Sequence, residues 1–317
     1  MVTLNDIRTA QSELPSVVRL TPMLPSEELS EATGSRVFLK CENLQVTGSY
    51  KARAAFTILN RLSAEQKQRG AALSSSGNFA CAFAYMGRLL GVPTAIVMMQ
   101  KTAPFKVEKT RRYGGEILFC ENRYEARFEL LERLQRERGI AAINHLEDAN
   151  TIIGHGTVGA EIMEQLPDAD AVLVPLSTGG LIAGVATAVK EIKPTAKVIG
   201  VQPEGSNATY LSFQRGEVVK IPEVNTICDA LTATYPGALP WEHIQRYVDD
   251  VVTVPDEDVK DAVVFLAEHA KCVVEAGGAV TVAALQTGKV SLPGKHVVAL
   301  LSGGNIALET LAGWMTE

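Results

Sequence analysis

The chain has 317 residues, 46% hydrophobic and 21% charged, with 30 Lys and Arg against 36 Asp and Glu for a formal net charge of −6. That length gives a prior of about two lobes with a sizeable core, and the charged fraction excludes wholesale disorder. The acidic balance, with no basic face, argues against a nucleic-acid partner. Five cysteines (Cys41, Cys81, Cys120, Cys228, Cys272) form no CxxC pair, which speaks against a disulfide framework or zinc ribbon and for a reducing compartment, read as the cytoplasm.

In chain order, the N-terminal stretch Met1–Arg8 lacks a basic region followed by an apolar run, so no signal peptide is read. Strands are expected over Val37–Lys40, Thr94–Met98 and Glu116–Phe119, and helices over Arg53–Leu62, Ala80–Leu90 and Tyr124–Arg138. The stretch Ala171–Val189 is uncharged and long enough to cross a bilayer. Pro175, Ser177, Thr178, Gly179 and Gly180 in its middle would break a spanning helix, so a buried strand to Leu176, a tight loop and a buried helix explain it better; no membrane partner is expected. Strands at Val198–Val201, Val251–Val254 and His296–Leu301 follow, with helices at Asp256–Ala270 and Ile306–Met315. Asp256, Glu257 and Asp258 fall in a first turn, where the helix dipole favours acids. This alternation predicts an α/β fold with parallel sheets covered on both faces, and without a Gly/Ser linker the two lobes must interleave.

One pattern recurs three times: an apolar strand, a Ser/Thr/Gly/Asn loop, then an apolar helix. It appears as Ala71–Leu73 into Ser74–Asn78, as Ala171–Leu176 into Ser177–Gly180, and as Val297–Leu301 into Ser302–Asn305. In open α/β sheets ligands bind beyond the carboxyl ends of the strands, where helix N-termini present free N–H groups to anions. Ser177–Gly180 suits a phosphate best, adding two hydroxyls to glycine N–H groups. It lacks both the Lys-Ser/Thr end of a P-loop and the GxGxxG spacing of a dinucleotide site. Lys51 follows the polar loop Glu42–Tyr50 at the start of a helix, where the dipole disfavours a cation. With burial, that placement would depress its pKa and yield a neutral, nucleophilic amine; the alternative is an ordinary solvated lysine.

The segments Thr47–Ala55 (TGSYKARAA), Ser74–Phe79 (SSSGNF), Ser177–Gly180 (STGG) and Leu301–Asn305 (LSGGN), in this order and spacing, resemble fold-type II pyridoxal-phosphate enzymes, within them the serine/threonine dehydratase and serine racemase group. The resemblance implies a tryptophan-synthase-β-like fold: two interleaved three-layer α/β lobes with mostly parallel sheets. Residues 1–50 and 145–317 would form the large cofactor-binding lobe and 51–144 the small one. It implies pyridoxal 5'-phosphate as cofactor, bonded to Lys51, which also moves the Cα proton. Tyr50 would lie beside the ring, Asn78 would hydrogen-bond its phenolic oxygen, and Ser302 would face the pyridine nitrogen. Ser177, Thr178, Gly179, Gly180 and Leu181 would cradle the phosphate. Ser75, Ser76, Gly77 and Asn78 match the substrate-carboxylate loop, and Ser76 occupies the racemase's second acid/base position. Glu275 matches an acid near the ring, an exposed helix cap being the alternative.

The implied reaction is dehydration and deamination of a β-hydroxy amino acid to a 2-keto acid and ammonia. The alternatives are a racemase using Lys51 and Ser76 as opposed acid and base, and a non-catalytic ligand-binding relative. A hydroxyl rather than a carboxylate at the ring nitrogen favours expulsion of a β-leaving group over transamination. Leu146 stands where dehydratases have an aromatic or the racemase an asparagine, which makes the pocket more apolar and points to a bulkier or unusual substrate. Gln202, Ser206 and Ala208 fall at the racemase's cation-ligand positions, so no tight metal site is expected. His155 replaces a usual glutamine and reads as a helix-start residue. The family favours a homodimer or larger homo-oligomer.

Overall fold

The computed structural model describes every residue except 103, 124 and 317. Among these described residues ten strands form two sheets. In chain order they are β1 (Met23–Ser26), β2 (Arg36–Cys41), β3 (Ala71–Ser74), β4 (Thr94–Met99), β5 (Glu116–Cys120), β6 (Ala141–Ile143), β7 (Ala171–Pro175), β8 (Lys197–Pro203), β9 (Asp250–Val254) and β10 (His296–Leu301). The larger sheet has the order β1-β2-β10-β7-β8-β9 and the smaller β5-β4-β3-β6. All pairings are parallel except β1 with β2.

Burial on both faces explains why the central strands are apolar runs rather than alternating ones. In β10, Val297, Ala299 and Leu301 join a core cluster with the helix Ala276–Gln286, whereas Val298 and Leu300 join the helix Gly180–Ile192 on the opposite face. The small sheet is built alike. Leu73, Ile96 and Met98 pack against the helices Lys51–Asn60 and Asn78–Leu90, and Ala72, Ala95 and Val97 against Ala126–Arg138. The α/β architecture with mostly parallel sheets is therefore the one expected, and the uncharged stretch at 171–189 is a strand, a loop and a helix. Among the described residues no helix is long and apolar enough to cross a membrane.

Several boundaries differ from expectation. The first two site helices begin at Lys51 and Asn78 instead of Arg53 and Ala80. Of the expected helix at Tyr124–Arg138, Tyr124 lies outside the described residues and Ala126–Arg138 is helical. The last helix starts only at Leu308, so the Ser302–Asn305 loop runs into irregular chain rather than a helix N-terminus. Strands β1 and β6 were not anticipated: one is four residues containing Pro25, the other only three. Nor was the helix Ala149–Gln165, whose small and apolar residues surround it without a polar face. Gly156 and Gly159 let it touch the helix Gly180–Ile192 backbone to backbone. A Cβ at Gly184 would stand 2.3 Å from the Ile152 carbonyl oxygen and 2.5 Å from the Gly156 nitrogen.

Candidate active site

A cavity of about 340 Å³ opens beyond the carboxyl ends of β3, β6, β7 and β10, reached by Ser74, Asn144, Pro175 and Ser302. Its size falls within the range of small-molecule sites. Every residue singled out as a site candidate lines it, from Tyr50 and Lys51 through Ser75–Asn78 and Leu146 to Ser177–Leu181, Glu275 and Ser302.

Lys51 is the first residue of its helix. The preceding loop is pinned to the segment after β10: Tyr50 N–H donates to the Ser302 carbonyl at 3.2 Å, and Ser49 bridges Gly303. Facing the cavity leaves Lys51 partly exposed, yet protein surrounds it densely, and that desolvation lowers its amine to about 8 against the opposing charge of Glu275. Nζ lies 4.5 Å from the centre of the Tyr50 ring and 5.4 Å from that of Phe79.

Behind Lys51 a buried charge network fixes the same helix. Arg53, wholly buried, donates from Nε and Nη2 to Glu42 at 2.9 and 2.8 Å, and from Nη1 and Nη2 to Glu161 at 2.6 and 2.8 Å. Lys40, also buried, donates to Glu161 at 2.9 Å, and Thr21 Oγ1 donates to Glu42 at 2.5 Å. Burial pushes the Glu42 carboxyl up, but the charge and hydrogen bonds of Arg53, then Lys40 and Thr21, reverse this and leave it below its ordinary value. Sequence reasoning missed the network; its signal was charge in apolar elements, Lys40 in a strand and Glu161 in a buried helix.

Asn78 begins its helix and is clamped from both sides. Its Nδ2 donates to Glu275 Oε1 at 2.6 Å, and its Oδ1 accepts from Asn305 Nδ2 at 2.7 Å. Asn305 Nδ2 also donates to the Thr47 carbonyl at 2.9 Å, and its Oδ1 accepts from Lys109. Glu275 caps the helix Ala276–Gln286 but is buried, which sets aside the exposed-cap alternative. Burial and then Asp229 raise its carboxyl to about 7, while Asn78, Lys106 and Lys109 act the other way. A Cβ at Gly303 would lie 2.4 Å from Glu275 Oε1, so a larger residue there would displace that carboxylate.

At the far end, Gly179 adopts a left-handed φ of 102° and caps the helix Gly180–Ile192, turning that helix's unpaired first N–H groups to the cavity. Thr151 and His155 of the neighbouring helix line the same end. His155 is not a helix-start residue: it lies within the helix Ala149–Gln165 and is 1% exposed. Its ring lies 4.6 Å from that of Tyr50.

Ser75, Ser76 and Gly77 form the half-buried loop after β3 and, with Leu146, line the cavity. Sequence reasoning missed Arg127 and His145, which also line it. Nothing distinguishes Arg127 within a strongly charged helix. His145 packs edge-on against Phe79 at 4.7 Å, and burial, then Lys51 and Arg127, hold its imidazole down to about 3. Asp229, also lining the cavity, pairs with Lys106. Among the described residues no three His, Cys, Asp or Glu side chains are grouped to hold a metal ion.

A family model described as a pyridoxal-phosphate dependent enzyme matches residues 15–303. An L-threonine ammonia-lyase of Thermotoga maritima is 41% identical over 96% of this chain and 76% of its own length. A catabolic L-threonine dehydratase of Staphylococcus aureus is 35% identical over 99% of this chain and 92% of its own. The solved structure of maize serine racemase superposes with a TM-score of 0.95 at 35% identity, covering 99% of this chain and 97% of that one.

Proposed function

Because the chain belongs to the pyridoxal-phosphate-dependent enzymes, we propose that it is an ammonia-lyase converting a serine- or threonine-like β-hydroxy amino acid to a 2-keto acid and ammonia. The observation that carries this reading is the Lys51 amine, lowered to about 8 at the edge of a cavity whose far wall is a glycine-capped helix N-terminus. The residues present fit the cofactor. A nucleophilic amine, an anion cradle closed to any Cβ at Gly179 (2.7 Å from Ile244 Cδ1) and two amides fixed at Asn78 and Asn305 line one space or its wall.

The Ser177–Leu181 segment would hold the phosphate through backbone N–H groups and two hydroxyls, and Tyr50, Asn78, Glu275 and Ser302 would hold the ring. When bound, the cofactor supplies an aldehyde for the substrate's amino group and an electron sink that eases loss of the Cα proton. Ser75, Ser76 and Gly77 would take the substrate carboxylate, and Leu146 would pack against its side chain. Lys51, neutral in a substantial fraction near its pKa, takes the Cα proton. The hydroxyl would leave as water, its added proton balanced by the one that Lys51 takes from Cα, and the released enamine tautomerises and hydrolyses to keto acid and ammonia. We read residues 51–144 as one lobe and 1–50 with 145–317 as the other, and the protein as a cytoplasmic homodimer or larger homo-oligomer. Five buried free cysteines support the compartment.

The test is a panel of β-hydroxy amino acids, from serine and threonine to bulkier analogues, assayed for keto acid and ammonia with added cofactor. Turnover of at least one is expected, and none at all would overturn the proposal. Likeness to a serine racemase and the place of Ser76 in the cavity favour racemisation as the second reading. Chiral analysis of the residual substrate separates the two.

A further inference from the structure

Two polar side chains beside the cofactor cradle find no side-chain hydrogen-bond geometry with any of the described residues. Thr151 and His155 stand one turn apart on one face of the helix Ala149–Gln165. They are 4% and 1% exposed, yet Thr151 Oγ1 and both ring nitrogens of His155 make no hydrogen bond. Folded chains seldom leave buried polar atoms so. The same helix and its neighbours show the usual outcome. Thr57, Thr157 and Thr187 all return their hydroxyls to carbonyls of their own helices at 2.7–2.9 Å. His243, also buried, uses both ring nitrogens, accepting from Val2 N–H at 3.2 Å and meeting Thr187 Oγ1 at 2.9 Å.

The two side chains meet at one place. A Cβ built on Gly180, the first residue of the helix Gly180–Ile192, would lie 3.6 Å from Thr151 Cγ2 and 3.7 Å from His155 Nδ1. Both side chains line the cavity. Here a helix N-terminus coincides with buried, unsatisfied hydrogen-bonding groups, one hydroxyl donor and one ring N–H.

We propose that Thr151 and His155 form a second grip on the cofactor's phosphate, donating to its oxygens from the side of the helix Ala149–Gln165 while the Ser177–Leu181 loop donates from the other. Burial, then the charge of Lys51, keeps the imidazole well below its ordinary pKa, with the Gly180 backbone acting the other way. His145 and Arg53 act in the same direction as Lys51. The ring therefore enters as a neutral donor in surroundings that favour an anion. This inference rests on the cofactor-binding reading above.

The test titrates protein freed of cofactor with pyridoxal 5'-phosphate and, separately, with pyridoxal, which lacks the phosphate, following absorbance of the bound chromophore. The variants are His155→Leu, His155→Gln and Thr151→Val, each checked for wild-type circular dichroism. His155→Leu and Thr151→Val should each weaken pyridoxal phosphate about tenfold and leave pyridoxal within about twofold, while His155→Gln, which keeps an N–H donor, recovers most of the loss. The 31P resonance of the bound cofactor should move in the two weakened variants. Equal losses for both ligands, or affinities for pyridoxal phosphate within about twofold of wild type, would overturn the inference while leaving the cofactor reading intact. A wild-type protein that binds neither ligand would overturn the reading beneath it, and this inference with it.

Discussion

Arg53→Met is the most searching test of how the nucleophilic lysine is held. Methionine keeps length and apolar bulk but removes the fork that donates twice to Glu42 and twice to Glu161. Glu161 retains Lys40, whereas Glu42, with no exposure, is left with the Thr21 hydroxyl. Breaking a buried ion pair from one side costs about 3–5 kcal/mol because the orphaned charge stays desolvated. Against a total stability of about 5–15 kcal/mol, that is a large share. Urea unfolding followed by circular dichroism should show the loss at pH 7, and pH adds a signature. In the wild type the folded-state pKa of Glu42 is depressed, so its stabilisation is present above the unfolded value and lost as pH falls through the folded one. In the variant burial, the largest effect, is opposed only by Lys40 and the Thr21 hydroxyl, so the folded pKa should rise above the unfolded value of about 4.3 and the variant gain stability as the acid protonates. The gap between the two proteins must therefore narrow toward pH 5, and Glu42→Gln added to Arg53→Met should recover part of it. A gap below about 1 kcal/mol at pH 7, or one that widens on acidification, would refute the claim that this network is held by paired charge.

Two further outcomes follow from the same geometry. Because Lys51 attacks an aldehyde only as a free amine, the rate of cofactor capture should rise with pH to a half-maximum near about 8 and then level off. Stopped-flow absorbance reads this, and a rise that continues toward about 10.4 would show an ordinary solvated lysine. Gly184→Ala should destabilise the protein by several kcal/mol in thermal or urea unfolding, since its Cβ would meet backbone atoms at 2.3 and 2.5 Å that cannot swing aside. A near-neutral result would mean that the helices Ala149–Gln165 and Gly180–Ile192 part easily.

What could be read from the sequence had local causes. Val297–Leu301 is an uninterrupted apolar run, and His296–Leu301 forms the strand expected there. Lys51, Asn78, Gly179 and Ser302 each sit at a strand–loop–helix or strand–loop junction, whose grammar is visible within ten residues, and all line one cavity. What stayed hidden depends on distant chain. Arg53 and Glu161 stand 108 positions apart, and neither announces the other. The helix Ala149–Gln165 lacks a polar face because it is enclosed on every side, so its periodicity is silent, and with it the surroundings of His155. The helix start at Leu308 rather than Ile306 reflects Asn305 being drawn aside to Thr47 and Asn78, a contact only the folded chain specifies.

The position of β10 has a consequence for how the protein is made. It lies between β2 and β7, and its following loop receives Tyr50 and Asn78. A nascent chain leaving the ribosome can assemble β3–β6 early, because that sheet uses only residues 71–143. The larger sheet keeps an open slot until translation has passed residue 301, exposing two strand edges for the interval. Lys51 is synthesised early but acquires its desolvated surroundings only when this late strand slides home. Cofactor loading must therefore wait until the ribosome has passed residue 301, and cells short of chaperone capacity should lose this protein at the slot stage rather than at the site.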